Sequence, residues 1–272
     1  MTATNGSAID EKRSRAVADL ADRDGVLIAF SGGVDSSVVA AMAQEALGAE
    51  AVACTARSET LPEAELADAR AVADEIGIRH VETTVSELDD PDFRANDERR
   101  CYHCRSMRLD AMARVADREG LAVVCDGTTA DDGDGHRPGL EAVAERETYS
   151  PLRAHDITKS EARSIARHYD LSVADKPSMA CLSSRIPTGE RITADRLTRV
   201  ERAEALLRSW GFEQFRVRDH GDLARIEVGA DELDAALDPD FAAAAREHVG
   251  ALGFEHVTLD LAGYRTGSVS PE

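Results

Sequence analysis

The stretch from Val26 to Val39 constrains the fold of this chain most, because it reads as strand, glycine turn and helix in direct succession. An apolar run over residues 26–30 has the length of a buried strand and ends in a Ser-Gly-Gly turn, and a helical pattern begins at Asp35. A helix N-terminus presents free backbone N–H groups and partial positive charge. Glycines let a bound group approach the backbone closely. The pattern therefore predicts a cradle for a polyphosphate.

The spacing of this cradle is neither that of a Walker loop nor that of the dinucleotide fingerprint. It resembles the PP-loop, S-G-G-V-D-S, of the ATP pyrophosphatase superfamily, whose members cleave ATP to AMP and pyrophosphate. The serine hydroxyls add donors, and the aspartate is expected to bind Mg²⁺ or to orient the loop. An ordinary glycine turn is the alternative interpretation. The predicted ATP-binding residues are Ser31, Gly32, Gly33, Val34, Asp35, Ser36 and Ser37.

Apolar runs of strand length alternate with helical patterns along the first part of the chain. This alternation predicts an α/β fold with a doubly wound parallel sheet. Further along, the order helix, hairpin, helix, strand predicts a small α+β domain. We therefore expect a PP-loop ATP pyrophosphatase domain over residues 1–190 and a substrate or assembly domain over residues 191–272.

Charged residues follow two of the predicted strands. Asp126 and Asp131 lie in a glycine-rich loop after the fourth strand, and Arg57 comes just past the second. Ligands of open α/β sheets bind at the carboxyl ends of the strands. We expect these three side chains to lie near ATP, and plain surface charge is the alternative for each.

The charge balance excludes some functions. The chain has 32 Lys and Arg against 52 Asp and Glu, a net charge of −20. Nucleic-acid binding depends on basic surface, so we expect no nucleic-acid partner. The acidic residues are spread along the chain, which we interpret as adaptation to high salt. No run reaches the length of a membrane span and no signal peptide opens the chain, so we expect a cytoplasmic protein without membrane contact.

The five cysteines do not look like a disulfide framework in a chain of this length. Cys101 and Cys104 form a C-x-x-C at a predicted helix start with arginines around it, which favours thiolate. Cys181 lies in a loop. Three thiolates suit an iron–sulfur cluster with one open iron, while structural zinc, with His103 as a fourth ligand, and a redox pair are alternatives. The remaining two lie in apolar strand runs and are expected to be core residues, Cys54 and Cys125.

Six motifs occur in a fixed order along about residues 10 to 265: S-G-G-V-D-S, R-C-Y-H-C, D-G-T-T-A-D-D-G-D-G-H-R-P-G, S-P-L, K-P-S-M-A-C-L-S-S-R-I-P-T-G and F-R-V-R-D-H-G-D-L-A-R-I-E-V. This set resembles the LarE family of ATP-dependent sulfur transferases, which make the sulfur atoms of the nickel-pincer cofactor of lactate racemase. The resemblance implies that ATP, with Mg²⁺, adenylates a carboxylate of pyridinium-3,5-biscarboxylic acid mononucleotide. A sulfur nucleophile then displaces AMP. It also implies a homo-oligomer, a trimer or a hexamer.

The resemblance implies two possible sulfur sources. In one branch of the family, the cysteine that corresponds to Cys181 gives up its own sulfur. In the other, three cysteines hold a [4Fe-4S] cluster that carries a replaceable sulfide. Because Cys101, Cys104 and Cys181 occur together here, we favour the cluster.

Arg216 and Arg218 alternate along one predicted strand, so both side chains lie on one face. Two adjacent guanidinium groups suit a phosphate. The resemblance implies that they hold the substrate's phosphate, with Ser184 and Arg185 nearby; a solvated strand face is the alternative. It also implies two glutamates near the sulfur-transfer site, as acid/base groups or metal ligands, with ordinary acidic residues as the alternative: Glu204 and Glu227.

Three other functions compete with the sulfur transferase. A PP-loop amidoligase of the NAD synthetase type would use ammonia and would not need three loop cysteines. A non-catalytic nucleotide or iron–sulfur binding protein would release no pyrophosphate. A tRNA thiolase is disfavoured by the negative charge and by the lack of a basic RNA-binding domain.

Overall fold

The structure is a computed structural model of the chain, and it describes residues 2–133, 137–177 and 180–265. The chain divides into two compact units. The first unit comprises residues 1–86 and 101–179, and the second comprises residues 87–100 and 180–272. No helix among the described residues is long and apolar enough to cross a membrane.

The first unit is built on a parallel sheet of four strands in the order β3-β2-β1-β4. This confirms the predicted α/β fold with a parallel sheet. The strands are β1 (Val26–Ala29), β2 (Ala51–Arg57), β3 (Arg79–Thr84) and β4 (Val123–Cys125). The helices are α1 (Thr2–Ala21), α2 (Val34–Leu47), α3 (Glu63–Ile76), α5 (Arg100–Glu119), α6 (Pro138–Glu145), α7 (Pro151–Ala154) and α8 (Lys159–His168), and the short α4 (Pro91–Ala95) belongs to the second unit.

Helices cover both faces of the sheet, because neighbouring strand residues point to opposite sides. Ile28 of β1 packs in a cluster with residues of α1, α2 and α8, among them Leu20 and Ile165. Leu27, the preceding residue, packs with Val115 of α5 in a separate cluster. The sheet is therefore buried on both sides, which explains why its central strands are almost wholly apolar.

The second unit has a three-stranded sheet in the order β5-β6-β7. The predicted hairpin is confirmed: β5 (Phe215–His220) and β6 (Leu223–Val228) pair antiparallel, and β7 (His256–Leu259) pairs parallel with β6. The helices α9 (Ala194–Ser209), α10 (Leu233–Ala236) and α11 (Pro239–Ala251) complete the unit. They pack against the sheet around Phe241 and Val217.

The boundary between the units differs from the expected one at residue 190. Residues 87–100 and 180–190 fall in the second unit, and Asn96 gives the physical reason. This residue is fully buried with a positive φ of 57°, and its amide donates to the carbonyl oxygens of Pro187 (2.8 Å) and Glu190 (2.9 Å). The backbone carbonyl oxygen of Asn96 accepts a hydrogen bond from the N–H of Gly189 at 2.8 Å.

Candidate functional site

The glycine turn after β1 packs tightly against α3. Gly32 has a positive φ of 66°, and a Cβ atom at this position would lie 2.7 Å from the Cα of Ala69. A larger residue would be both strained and in collision with the helix backbone. The next residue, Gly33, is the N-cap of α2 and is capped by no side chain. The first N–H groups of α2 have no acceptor within the helix and so face the turn.

Hydroxyl groups hold the turn in shape. Ser36 Oγ donates to the carbonyl oxygen of Gly33 (3.1 Å) and accepts from the N–H of Ser31 (3.3 Å). Two polar atoms next to them, Ser37 Oγ and Asp35 Oδ1, are buried without a hydrogen-bond partner among the described residues. Buried polar atoms without a partner are rare, so these two atoms mark a place where a bound group would complete the hydrogen bonding.

A lysine absent from the sequence-based expectations lies at this turn. Lys159 Nζ donates a hydrogen bond to Asp35 Oδ2 and forms an ion pair with it. Lys159 is the first residue of α8, whose N-cap Thr158 forms a capping box with Glu161. Burial raises the pKa of Asp35, and the lysine opposes that rise. The N-termini of α2 and α8 therefore meet at one ion pair. The capping box predicted the helix start, but nothing local pointed to Asp35.

The loop after β4 packs against the first turn of α2. A Cβ atom at Gly127 would lie 2.8 Å from the backbone nitrogen of Ser36 and 3.1 Å from the Cβ of Asp35. Only glycine lets the loop come so close to the first turn of α2. The sequence placed this loop at a strand end but gave no sign that Gly127 touches the cradle.

The two loop aspartates differ in their surroundings. Asp126 is 1% exposed, accepts from Ser150 Oγ (2.6 Å) and Thr128 Oγ1 (2.7 Å), and forms an ion pair with Arg105 of α5. The hydrogen bonds of its carboxylate thus connect the loop to the S-P-L segment and to α5. Asp131 is exposed, and it accepts from the backbone N–H of Lys159 at 2.9 Å. Asp131 thus lies beside the cradle through Lys159, and Asp126 directly precedes Gly127, which packs against the first turn of α2.

Arg57 ends β2, at the same edge of the sheet as the turn. Its side chain is 48% exposed, and it lies 3.6 Å from Glu82 and 3.8 Å from Glu63. Two loose ion pairs on an exposed side chain cost little to break. The arginine is therefore free to reorient.

The cysteines fall into two chemical classes. Burial raises the pKa of Cys54 and that of Cys125 to about 12, and both side chains are fully buried, which confirms that they are core residues. Cys101 is exposed and Cys104 half-buried, and they lie one turn apart at the start of α5. Cys181 is half-buried and lies in the second unit.

In the second unit, the carboxylate of Glu204 binds one arginine side chain and one backbone N–H group of β5. Its carboxylate accepts from Arg185 Nε at 2.8 Å and from Arg185 Nη2 at 2.9 Å, and it also accepts from the backbone N–H of Val217 at 3.0 Å. Arg185 is fully buried, and its Nη1 donates to the carbonyl oxygen of Cys181 at 2.9 Å. The pair therefore fixes the backbone that carries Cys181.

The two arginines of β5 have different partners. Arg218 donates to Glu227 from Nε (3.0 Å) and Nη2 (2.8 Å), and Arg225 also pairs with that carboxylate. Arg216 donates to the carbonyl oxygen of Phe215 and lies over the ring of Tyr264, 5.0 Å from its centroid. Burial and the positive charge of Arg185 lower the pKa of Arg216.

Within the described chain, no carboxylate forms an ion pair with Arg216, although it is only 6% exposed. A buried guanidinium without a carboxylate is costly unless an anion binds it. Of the four predicted phosphate ligands, Arg216 is thus the one that a bound anion would stabilise most. Ser184 Oγ accepts from Arg185 (3.1 Å), and its carbonyl oxygen accepts from Arg218 (3.1 Å).

The comparisons with known proteins agree with this geometry. The family model described as asparagine synthase matches residues 8–187. An uncharacterised protein of Synechocystis sp. is 43% identical over 247 residues, which cover 91% of this chain and 92% of that one. A pyridinium-3,5-bisthiocarboxylic acid mononucleotide synthase of Lactiplantibacillus plantarum is 36% identical over 260 residues, which cover 95% and 94%. This chain belongs to the LarE family of PP-loop enzymes.

An uncharacterised protein of Methanocaldococcus jannaschii is also similar, with 28% identity over 206 residues that cover 76% of this chain and 78% of that one. The asparagine-synthase match ends at residue 187, whereas the synthase match extends through the second unit. The LarE assignment therefore includes the β5–β6 hairpin with Arg216 and Glu227, which a PP-loop match alone would leave out.

Proposed function

We propose that this protein is an ATP-dependent sulfur transferase that converts a carboxylate of pyridinium-3,5-biscarboxylic acid mononucleotide to a thiocarboxylate. The observation that carries the proposal is the ion pair between Asp35 and Lys159, which joins two helix N-termini beside the glycine turn. The name of the L. plantarum relative supports the choice of substrate.

The first unit would bind the triphosphate. The N–H groups of α2 and the N-terminal dipoles of α2 and α8 favour anionic oxygens. Lys159 would bring its positive charge to the phosphates, and the hydroxyl of Ser37 would donate to them. The unpartnered Asp35 Oδ1 fits a ligand of Mg²⁺, which is bound through carboxylate oxygens. When bound, Mg²⁺ would neutralise charge that grows on pyrophosphate.

The chemistry requires two steps because a carboxylate is a poor electrophile. A carboxylate oxygen attacks the α-phosphorus of ATP, and pyrophosphate leaves with the electrons of the broken P–O bond. A sulfur nucleophile then attacks the carbonyl carbon, and AMP leaves. Charge that develops on pyrophosphate in the first step would be stabilised by the preorganised N–H groups and by Lys159.

The second unit would bind the substrate. Arg216 is the proposed ligand of the mononucleotide's phosphate, because it is buried and has no carboxylate partner among the described residues. Arg218 and Arg185, which are already paired with Glu227 and Glu204, would shape the site around it. In this arrangement the glutamates orient arginines, and a role as metal ligands would require those pairs to open.

The sulfur would come from a cluster. Cys101, Cys104 and Cys181 are the three cysteines that are not buried, and three thiolates fit a [4Fe-4S] cluster with one open iron. Such a cluster would supply a replaceable sulfide. The alternative donor is Cys181 itself. Iron and sulfide analysis after anaerobic purification separates the two, since loss of the mass of H₂S from Cys181 on turnover would indicate sacrifice.

The test of the proposal is pyrophosphate release with ATP, Mg²⁺ and the dicarboxylate mononucleotide. We expect release that depends on the nucleotide, and thiocarboxylate as its product. An amidoligase would form an amide with ammonia in the same assay, and a binding protein would release nothing. Light scattering would test the proposed trimer or hexamer.

A further inference from the structure

A chain of hydrogen bonds crosses the sheet of the first unit and ends at the peptide that leads into the glycine turn. Thr55 of β2 donates from Oγ1 to the carbonyl oxygen of Phe30 at 2.9 Å. The same Oγ1 atom lies 2.8 Å from Nε2 of His80, a residue of β3. Thr55 and Phe30 are each 2% exposed, and His80 is half-buried. The contacts thus run from β3 through β2 to the residue that follows β1.

The direction of each hydrogen bond in this chain is fixed. A carbonyl oxygen only accepts, so the one hydroxyl hydrogen of Thr55 is used by Phe30. The oxygen of Thr55 is then left to accept from His80, and Nε2 of the imidazole must carry the hydrogen. Burial lowers the pKa of His80, so the imidazole is neutral at pH 7. His80 is therefore the tautomer with hydrogen on Nε2 and none on Nδ1.

The nitrogen of the same peptide is held by α2. The N–H of Ser31 donates to Ser36 Oγ at 3.3 Å, and Ser36 Oγ donates to the carbonyl oxygen of Gly33 at 3.1 Å. The peptide between Phe30 and Ser31 is thus held at its oxygen by Thr55 and at its nitrogen by the first turn of α2. Because a peptide is planar, these two hydrogen bonds determine the direction in which the chain enters the glycine turn.

The ring of His80 also packs edge-on against the ring of Phe30, with centroids 5.7 Å apart and an interplanar angle of 69°. Phe30 belongs to the same cluster as Ala69 of α3, the residue that lies against Gly32. An apolar side chain at position 80 could pack against Phe30 as well. What the imidazole adds is a hydrogen-bond donor, which orients the hydroxyl of Thr55 towards the Phe30 carbonyl.

We propose that His80 is a positioning residue of the phosphate cradle, which acts through Thr55 and the Phe30 carbonyl to fix the peptide that leads into the glycine turn. The inference rests on the proposed function, in which this turn binds the phosphates of ATP. Donors at the turn stabilise a phosphate best when they are already in place, because no reorganisation is then needed. In this role the imidazole makes and breaks no covalent bond and needs hydrogen on Nε2.

The first test is the affinity of the full-length protein for ATP with Mg²⁺, measured by titration calorimetry without the mononucleotide. Thr55→Val keeps the shape of the side chain but removes the hydroxyl, and we expect the dissociation constant to rise about tenfold. His80→Leu should raise it by about the same factor. His80→Gln should bind ATP within about threefold of the wild type, because the glutamine amide can place a donor near the position of Nε2.

A matched variant and a second measurement separate this role from a structural one. Thr258→Val removes a strand hydroxyl of the second unit that also donates to a backbone carbonyl, that of Ala224 at 3.1 Å, and it should leave the affinity for ATP unchanged. A residue that only stabilised the sheet would change the urea midpoint of unfolding but not the affinity of the folded protein. Nitrogen NMR of the wild-type imidazole without ATP should show hydrogen on Nε2 of His80.

An affinity for ATP within about threefold of the wild type in both Thr55→Val and His80→Leu would overturn the proposal. Hydrogen on Nδ1 in place of Nε2 would overturn it too, because Thr55 would then donate to His80 and not to Phe30. If Thr55→Val does not fold, the two His80 variants give the same readout. ATP binding needs no mononucleotide, so a protein that binds ATP but releases no pyrophosphate would contradict the proposed function and leave this inference standing.

Discussion

Lys159 donates a hydrogen bond to Asp35 across 124 residues of sequence, and this bond ties the first residue of α8 to the first turn of α2. A lysine at this place could pair first with Asp35 and then with the phosphates of ATP. In the proposed function it would neutralise the carboxylate when no phosphate is bound and would turn to the phosphate oxygens when ATP binds. Asp35 would then be released to bind Mg²⁺.

Replacing this lysine should damage ATP use without unfolding the protein. In Lys159→Met we expect the rate of pyrophosphate release to fall about 10²-fold, the usual cost of losing one group that stabilises developing charge. Lys12→Met is the matched control, because Lys12 also pairs with an α8 residue, Glu161, but makes no hydrogen bond to the turn among the described residues. A rate within about threefold of the wild type would show that Lys159 does not stabilise the charge that develops on pyrophosphate.

Substitutions of the two arginines of β5 should have different effects, one on substrate binding and the other on stability. Arg216→Gln should raise the KM for the mononucleotide about tenfold or more with a small change in unfolding, because Arg216 has no carboxylate partner in the described chain. Arg218→Gln should lower the free energy of unfolding by about 3 kcal/mol, because it leaves Glu227 buried with one partner fewer. Urea unfolding and KM measurements on both variants check this. Equal effects of the two variants on KM and on unfolding would contradict the distinction.

Asp219 should make stability depend on pH. Burial opposes ionisation of this carboxyl, but hydrogen bonds from Arg199 and Arg196 outweigh it and hold the pKa of Asp219 below its usual range. Because the folded pKa is depressed, the stability is present above the unfolded pKa, about 3.9, and is lost as pH falls through the folded value.

Asp219→Asn should therefore lower the free energy of unfolding by about 3 kcal/mol at pH 7, and the difference from the wild type should shrink below about pH 4. Asp222→Asn, an exposed position in the hairpin turn, is the control and should change little. A deficit that stays constant from neutral to acid pH would mean that the charge of Asp219 is not what stabilises the unit.

The acidic surface should make the protein depend on salt. A net charge of −20 destabilises the folded chain by self-repulsion, and salt screens that repulsion. We expect the unfolding midpoint and the activity to rise from low to molar KCl. Full stability and activity at low salt would refute the prediction of adaptation to high salt.

Local patterns made much of both units predictable. The glycine turn, the capping box of Thr158 and the hairpin at β5–β6 each depend on residues close in sequence. The contacts that complete the site link distant residues. Nothing near Lys159 points to Asp35, and in a chain with so many acidic residues nothing marks Glu204 as the buried partner of Arg185. Asn96 illustrates the same limit, because its side-chain amide donates to carbonyl oxygens of residues 186–190, about 90 positions away in sequence.

The most direct test of the account follows both halves of the reaction in one sample, with ATP, Mg²⁺, the dicarboxylate mononucleotide and anaerobically purified protein. We predict one pyrophosphate released for each carboxylate activated, together with thiocarboxylate product, and we predict that Cys181→Ala still releases pyrophosphate but makes no thiocarboxylate. Pyrophosphate release that does not depend on the mononucleotide, or thiocarboxylate formed without Cys181, would contradict it.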